Sequence, residues 1–172
     1  MCVQNWYQSS HIVEQVDSFK FLGTYISEDL NWHMNSISII KKARQRLYFL
    51  RTLKSFKVQQ SILINFYRAI IESILTGSII VWFGRVAQKD VKKMESIIRA
   101  AEKIVGCGLP SLQAIYNERA LKRMTSIMKD QDHPANELFE FLPSKRRLRS
   151  FYGSKRFISS FYPSAVRAYN SS

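Results

Sequence analysis

The stretch KKARQRLYFLRTLKSFK, residues 41–57, carries seven basic residues and no acid. On a helix, Lys41, Arg44, Tyr48 and Arg51 are spaced by three, four and three, so they share one flank. That spacing sets an aromatic ring among three cations. Cations of this kind neutralise phosphates, and a ring can stack on a base or a sugar. Arg119, Lys122 and Arg123 form a second cluster of the same sign. Lys145, Arg146, Arg147 and Arg149, followed by Lys155 and Arg156, form a third. The chemistry these clusters point to is binding of a nucleic-acid backbone, with no bond made or broken.

Catalytic motifs are missing. A metal-dependent phosphoryl or nucleotidyl transferase needs carboxylates that hold divalent ions. Asp130 and Asp132, next to His133, are the only close acidic pair, and they read as a helix-ending turn before Pro134. His11, His33 and His133 are scattered, and none begins a His-x-Asp facial triad. Gly106 and Gly108 follow a helix rather than a strand, so they read as a helix C-cap and not as a cofactor loop. No sequence feature supplies Cys107 with a base, and it reads as a buried or turn cysteine. The expectation is a chain with no enzymatic activity of its own, no cofactor and no metal.

Composition agrees with that partner class. The 172 residues hold 26 Lys and Arg against 13 Asp and Glu, a formal charge of +13, with 46% hydrophobic residues. This is enough apolar content for a core, with a charge excess that favours a polyanion. Two distant cysteines, Cys2 and Cys107, make neither a disulfide framework nor a zinc cluster, which fits a reducing, intracellular setting in nucleus or cytoplasm. Residues 1–10 lack the charged-then-apolar pattern of a signal peptide. The most apolar stretch, residues 69–84, is shorter than the ~20 residues of a membrane span and contains Glu72, so it reads as a core helix with no membrane role.

The elements that must position these residues are mostly helices. Residues 12–16 and 19–26 read as two short strands, joined near Asp17 and Ser18 and interrupted at Gly23. Glu28, Asp29 and Asn31 can cap a helix over about 33–55, with Ile39, Ile40, Ala43, Leu47 and Leu50 inward. A second helix is predicted over about 59–83, its stripe built from Ile62, Leu63, Phe66, Ile70, Ile74 and Leu75, widened by Ile71, Ile79, Ile80, Val81 and Trp82, and ended by Gly84. A third covers about 88–105 with Gly106 at C′. Ser111 caps a fourth, to about Met128. Residues 135–142 predict a short helix closed by Pro143. Residues 144–156 read as a weakly ordered basic tail, followed by a last helical turn or two. The domain reading is 1–30 for the strand pair, 31–142 for a helical bundle and 143–172 for the tail.

The succession FKFLGTYISEDLNW, KKARQRLYFLRTLKSF and ILINFYRAIIESILTGSIIVWFG resembles the end of a LINE-type (non-LTR) retrotransposon reverse transcriptase. The likeness continues through LPSLQAIYNERALKR, DQDHPANELFEFLPS and RRLRSF to SFYPSAVRAYN. The resemblance implies a palm-end strand pair that grips the primer, with Phe21, Leu22 and Gly23 in the grip. It also implies a thumb-like helical bundle that holds RNA or DNA through a duplex or hybrid backbone. The family's aromatic-x-Asp-Asp motif is missing, so the implied role is a non-catalytic nucleic-acid-binding fragment. Strands cut off from their sheet are expected to self-associate. The same succession also resembles the domain named for the amino-terminal region of AlkB-homologue tRNA-modifying proteins. Methyltransferase and 2-oxoglutarate dioxygenase terms travel with that domain, and no residue here supports either chemistry. A protein-interaction module with an acidic partner is the alternative from another class.

Overall fold

The computed structural model of the chain describes residues 16–171. Its elements run β1 (Ser18–Phe21), β2 (Thr24–Ser27), α1 (His33–Ser55), α2 (Gln60–Phe66), a π-helical segment (Tyr67–Glu72), α3 (Ser73–Thr76) and α4 (Ile79–Trp82). A 3-10 turn (Phe83–Arg85), α5 (Gln88–Val105), α6 (Leu112–Lys129), a second 3-10 turn (Asn136–Leu138), α7 (Lys155–Ile158) and α8 (Phe161–Asn170) follow. The chain is mostly helical, with an antiparallel hairpin ahead of a helical bundle.

The hairpin differs from the expected strand pair. β1 pairs with β2 so that Phe19 faces Ile26 and Phe21 faces Thr24. Both strands therefore come from the single strand expected over 19–26, and Gly23 makes the turn instead of interrupting a strand. Leu22 and Gly23 both have positive φ, 46° and 86°. Two positive φ values in a two-residue loop match the right-handed twist of the flanking strands. Glycine adopts this conformation without strain, whereas Leu22 does so against its own Cβ. The other expected strand, 12–16, lies outside the described residues except for Val16, which is exposed and in no strand.

α1 forms as its apolar spacing requires. Ile39, Ile40, Ala43, Leu47 and Leu50 are all buried. Its start is built by an Asx turn: the Asn31 Oδ1 accepts the His33 N–H at 2.8 Å, and Asp29 Oδ1 accepts the Asn31 N–H at 3.2 Å. The buried Asn35 reaches back to β2, where its Oδ1 accepts the Tyr25 N–H at 3.2 Å. Only β2 leans on α1; β1 stays open, with Phe19 and Phe21 59% and 56% exposed. Tyr25 is half-buried, with the Lys20 ammonium 5.7 Å from its ring centre.

The long second helix expected over 59–83 is instead four pieces, and the stripe it buries is only partly the expected one. Leu63, Tyr67, Ile71, Leu75 and Ile79 are buried, each four residues after the last. A regular α-helix of 3.6 residues per turn drifts about 40° for every such step. The π-helical Tyr67–Glu72 has wider turns and absorbs much of that drift. Ile62 and Ile70, expected inward, are exposed. The helical path breaks at Gly77 and Ser78, whose φ is 51°, rather than at Gly84. Residues 60–85 are long and apolar enough to cross a membrane by length and composition, which the sequence reading of 69–84 understated. In this fold their buried stripe packs in the same core as α1 and α5.

α5 and α6 match their expected spans, with Gly106 left-handed at 79° and Ser111 Oγ accepting the Ala114 N–H at 3.2 Å. Burial moves Tyr67 well inside, and its phenol is pushed upward first by desolvation, then by the charges of Glu72, Glu95 and Glu102. Beyond α6 two expectations fail. Residues 135–142 hold only the 3-10 turn, because Asn136 turns its Nδ2 onto the Ile127, Met128 and Asp130 carbonyls and closes α6. The tail expected to be weakly ordered folds back: Leu148, Ala165 and Val166 join Ala120, Met124, Ile127, Ala135 and Phe139 in a second hydrophobic cluster. Asn170 clasps Leu148 on both backbone groups, donating to its carbonyl at 3.0 Å and accepting its N–H at 2.9 Å.

Candidate nucleic-acid interface

The flank of α1 emerges as its spacing requires. Lys41, Arg44, Tyr48 and Arg51 are all exposed, and Tyr48 is 64% so. The four residues run along about 15 Å of helix axis. α1 contains no acid, and among the described residues the three ion pairs leave all three of these cations out. Tyr48 packs edge-to-face on Phe49, with ring centres 5.8 Å apart. That contact braces the phenol from one side and leaves it open to solvent. The arrangement has the chemistry to bind phosphates and to stack a base.

The other predicted residues divide. Arg119 is exposed, and its Nη1 donates to the Thr76 carbonyl at 2.7 Å, which ties α6 to the end of α3 and occupies one of its donors. Lys122 and Arg123 remain exposed on α6, and Arg123 borders a hollow of about 340 Å³ with Arg85 and His133. Lys145, Arg146 and Arg147 cap the loop between Phe141 and Leu148, which pair as an isolated bridge. Arg149 lies 3.4 Å from Glu140 in an exposed ion pair. Phe21, Leu22 and Gly23 form the tip of the hairpin, with Leu22 89% exposed. The α1 flank, the α6 pair and the tail loop lie on separate elements, and each is exposed.

The acids and histidines have structural employment. Asp90, 1% exposed in the first turn of α5, meets His33 Nδ1 at 3.2 Å and Lys93 Nζ at 3.1 Å. Burial pushes its carboxyl up, but the bonds and charges of Lys93 and His33 outweigh that and hold it below the ordinary 3.8. Glu95 and Glu102 accept the Leu112 and Leu109 N–H groups at 2.9 and 3.0 Å. The Asp130–Asp132–His133 run is a turn, with Asp130 Oδ1 accepting the Asp132 N–H and His133 Nδ1 accepting the Ala135 N–H. Cys107 is free and half-buried beside Gly106.

One feature next to the flank was missed. Arg46 lies over the Phe49 ring at 5.6 Å, at the edge of an apolar groove of about 480 Å³ between α1 and the α2–π segment. The signal was present as a second set of residues at helical spacing, Arg46, Phe49 and Leu53, one face round from the buried stripe. A further concavity of about 640 Å³ lies among α6, α8 and the turn at Gly84, and none of the expected site residues lines it.

Residues 32–73 match one protein family. Its description is "Alkylated DNA repair protein alkB homolog 8, N-terminal". The match covers α1, α2 and the π-helical segment, about a quarter of the chain, and contains the whole Lys41–Arg51 flank. No curated protein and no solved structure matches the chain. The LINE-type resemblance therefore rests on its sequence motifs alone, while the alkB homolog 8 likeness has an independent match behind it.

Proposed function

We propose that the chain is a non-catalytic nucleic-acid-binding module built on an alkB homolog 8 N-terminal type segment. One observation carries this reading: an acid-free helix inside the matched segment exposes three unpaired cations around an exposed ring. The matched family is named for a protein that repairs alkylated DNA, whose substrate is a nucleic acid. In this reading the segment supplies grip and not chemistry. Methyltransferase and dioxygenase activities are outside the proposal, since Asp90, Glu95 and Glu102 are engaged in holding the fold together.

The test is fluorescence anisotropy of the full chain against labelled RNA–DNA hybrid, duplex DNA and single-stranded RNA, titrated with salt. Binding should weaken linearly on a log–log plot, and replacing Lys41, Arg44 and Arg51 by Ala should flatten the slope by about 2 to 3 units. No binding at low salt to any of the three, or binding indifferent to salt, would remove the reading.

A LINE-type thumb is the second reading, favoured by the open edge of β1 ahead of the basic bundle. The palm sheet would continue at that edge, with Phe21, Leu22 and Gly23 beside the primer end. It expects a preference for RNA–DNA hybrid. It also expects self-association through β1 that disappears when residues 1–27 are deleted, read by analytical ultracentrifugation.

A further inference from the structure

The double apolar striping of residues 60–76 leaves one stripe unused. Leu63, Tyr67, Ile71 and Leu75 fill the core. Ile62, Phe66 and Ile70 repeat with the same spacing of four just beside them, and the π-helical turn keeps this second stripe aligned with the first. Phe66 and Ile70 form one wall of the groove described above, and Phe49 and Leu53 of α1 form the other. Phe49 and Ile70 are exposed at its mouth. No acid lines the groove or occurs between His33 and Ile70, whereas Arg46 sits on its rim and Lys42 one turn before it. At 100° per residue, this face lies roughly 150° around α1 from the Lys41–Arg51 flank. The two surfaces meet at one contact, where the Tyr48 ring rests edge-to-face on Phe49.

We propose that this groove is a docking site for an acidic amphipathic helix of a partner protein. Apolar walls with Arg46 as the one charged lining residue fit a helix that buries apolar anchors about one turn apart and presents carboxylates beside them. The part of α1 that walls the groove, Arg46 to Leu53, is about two turns long, which accommodates two such anchors. A second copy of this chain is disfavoured as occupant by the +13 charge each copy carries. The proposal does not rest on the nucleic-acid reading: its lining residues Arg46, Phe49, Leu53, Phe66 and Ile70 lie outside the Lys41–Arg51 set and touch it where Tyr48 rests on Phe49.

The probe is a synthetic helical peptide with Leu at i, i+4 and i+7 and Glu at the remaining exposed positions. A scrambled peptide of identical composition and phosphatidylserine-containing vesicles serve as comparisons. Full-length protein should bind the ordered peptide at least tenfold more tightly than the scramble. Phe49→Ala and Ile70→Ser should each weaken it about tenfold. Arg46→Glu should weaken it and strengthen a version carrying Lys in place of Glu. Circular dichroism should show each variant folded, since all three side chains face solvent. Should Ile70→Ser unfold the protein, the Arg46→Glu exchange decides alone. Equal binding of ordered and scrambled peptides, insensitivity to Arg46→Glu, or binding of vesicles without the peptide would each overturn the proposal.

Discussion

α1 and α5 pack against each other through the same core, yet they use their polar surfaces in opposite ways. α5 carries Asp90, Glu95 and Glu102, and all three are engaged: one to the start of α1 and its own Lys93, two to the backbone of the turn that leads into α6. Gln60 in turn closes the end of α5 by donating to the Val105 and Gly106 carbonyls. α1 commits His33 and Asn35 at its first turn, and after that, among the described residues, no side chain of α1 makes a hydrogen bond to another element. Its six basic residues are left facing water. The difference teaches that net charge is a poor guide to availability. The three acids of α5 are engaged in holding the fold together, whereas the cations of α1 are left facing water.

The comparison breaks first at α5. Replacing Glu95 and Glu102 together by Ala should cost about 2–4 kcal/mol, because two turn N–H groups lose charged acceptors. Nucleic-acid affinity should stay level or rise slightly. Urea denaturation read by circular dichroism gives the first quantity, and anisotropy of the same sample gives the second.

Arg119 sharpens the contrast, since it is a cation employed as α5 employs its acids. Arg119→Ala should lower stability by about 1–2 kcal/mol by leaving the Thr76 carbonyl without its partner. Its effect on the salt slope of nucleic-acid binding should be far smaller than that of an α1 cation, which a paired salt titration checks.

The pH dependence is subtler. The folded Asp90 carboxyl titrates below its ordinary 3.8, so its contribution to stability is present above that value and is lost as pH falls through the lowered one. Stability should therefore drop below about pH 4, and Asp90→Asn should flatten that part of the profile while lowering the plateau above it. Thermal melts across about pH 2.5–7 distinguish the two.

Much of the fold was legible because α1, α5 and α6 obey regular rules. Their apolar residues repeat at 3.6, and Asn31, Gly106 and Ser111 mark ends that a sequence can show. Residues 60–85 were misread because their buried residues repeat at four, a spacing that only a widened turn can bring onto one face. The hairpin turn was hidden because Leu22-Gly23 lacks the usual Asn or Asp before Gly. The folded tail was hidden because Leu148, Ala165 and Val166 are few and surrounded by cations, and their partners lie on α6. The Lys41–Arg51 flank was legible because helical spacing alone defines it. Arg119 was not, because its acceptor is a carbonyl 43 residues away. Nor was the groove, whose second wall depends on the π-helical turn.

The most direct measurement is a matched-charge comparison. Two variants lose three cations each: Lys41, Arg44 and Arg51 to Ala on α1, and Lys145, Arg146 and Arg147 to Ala on the tail loop. Tyr48→Ala is measured beside them. The account predicts that the α1 variant loses most of the affinity and about 2 to 3 units of salt slope, with the tail variant losing much less. Tyr48→Ala should cost about 1–3 kcal/mol with an unchanged slope, because a stacked ring releases no counterion. Equal losses and equal slopes for the two triple variants would show that binding is diffuse electrostatics and contradict the assignment of α1 as the interface.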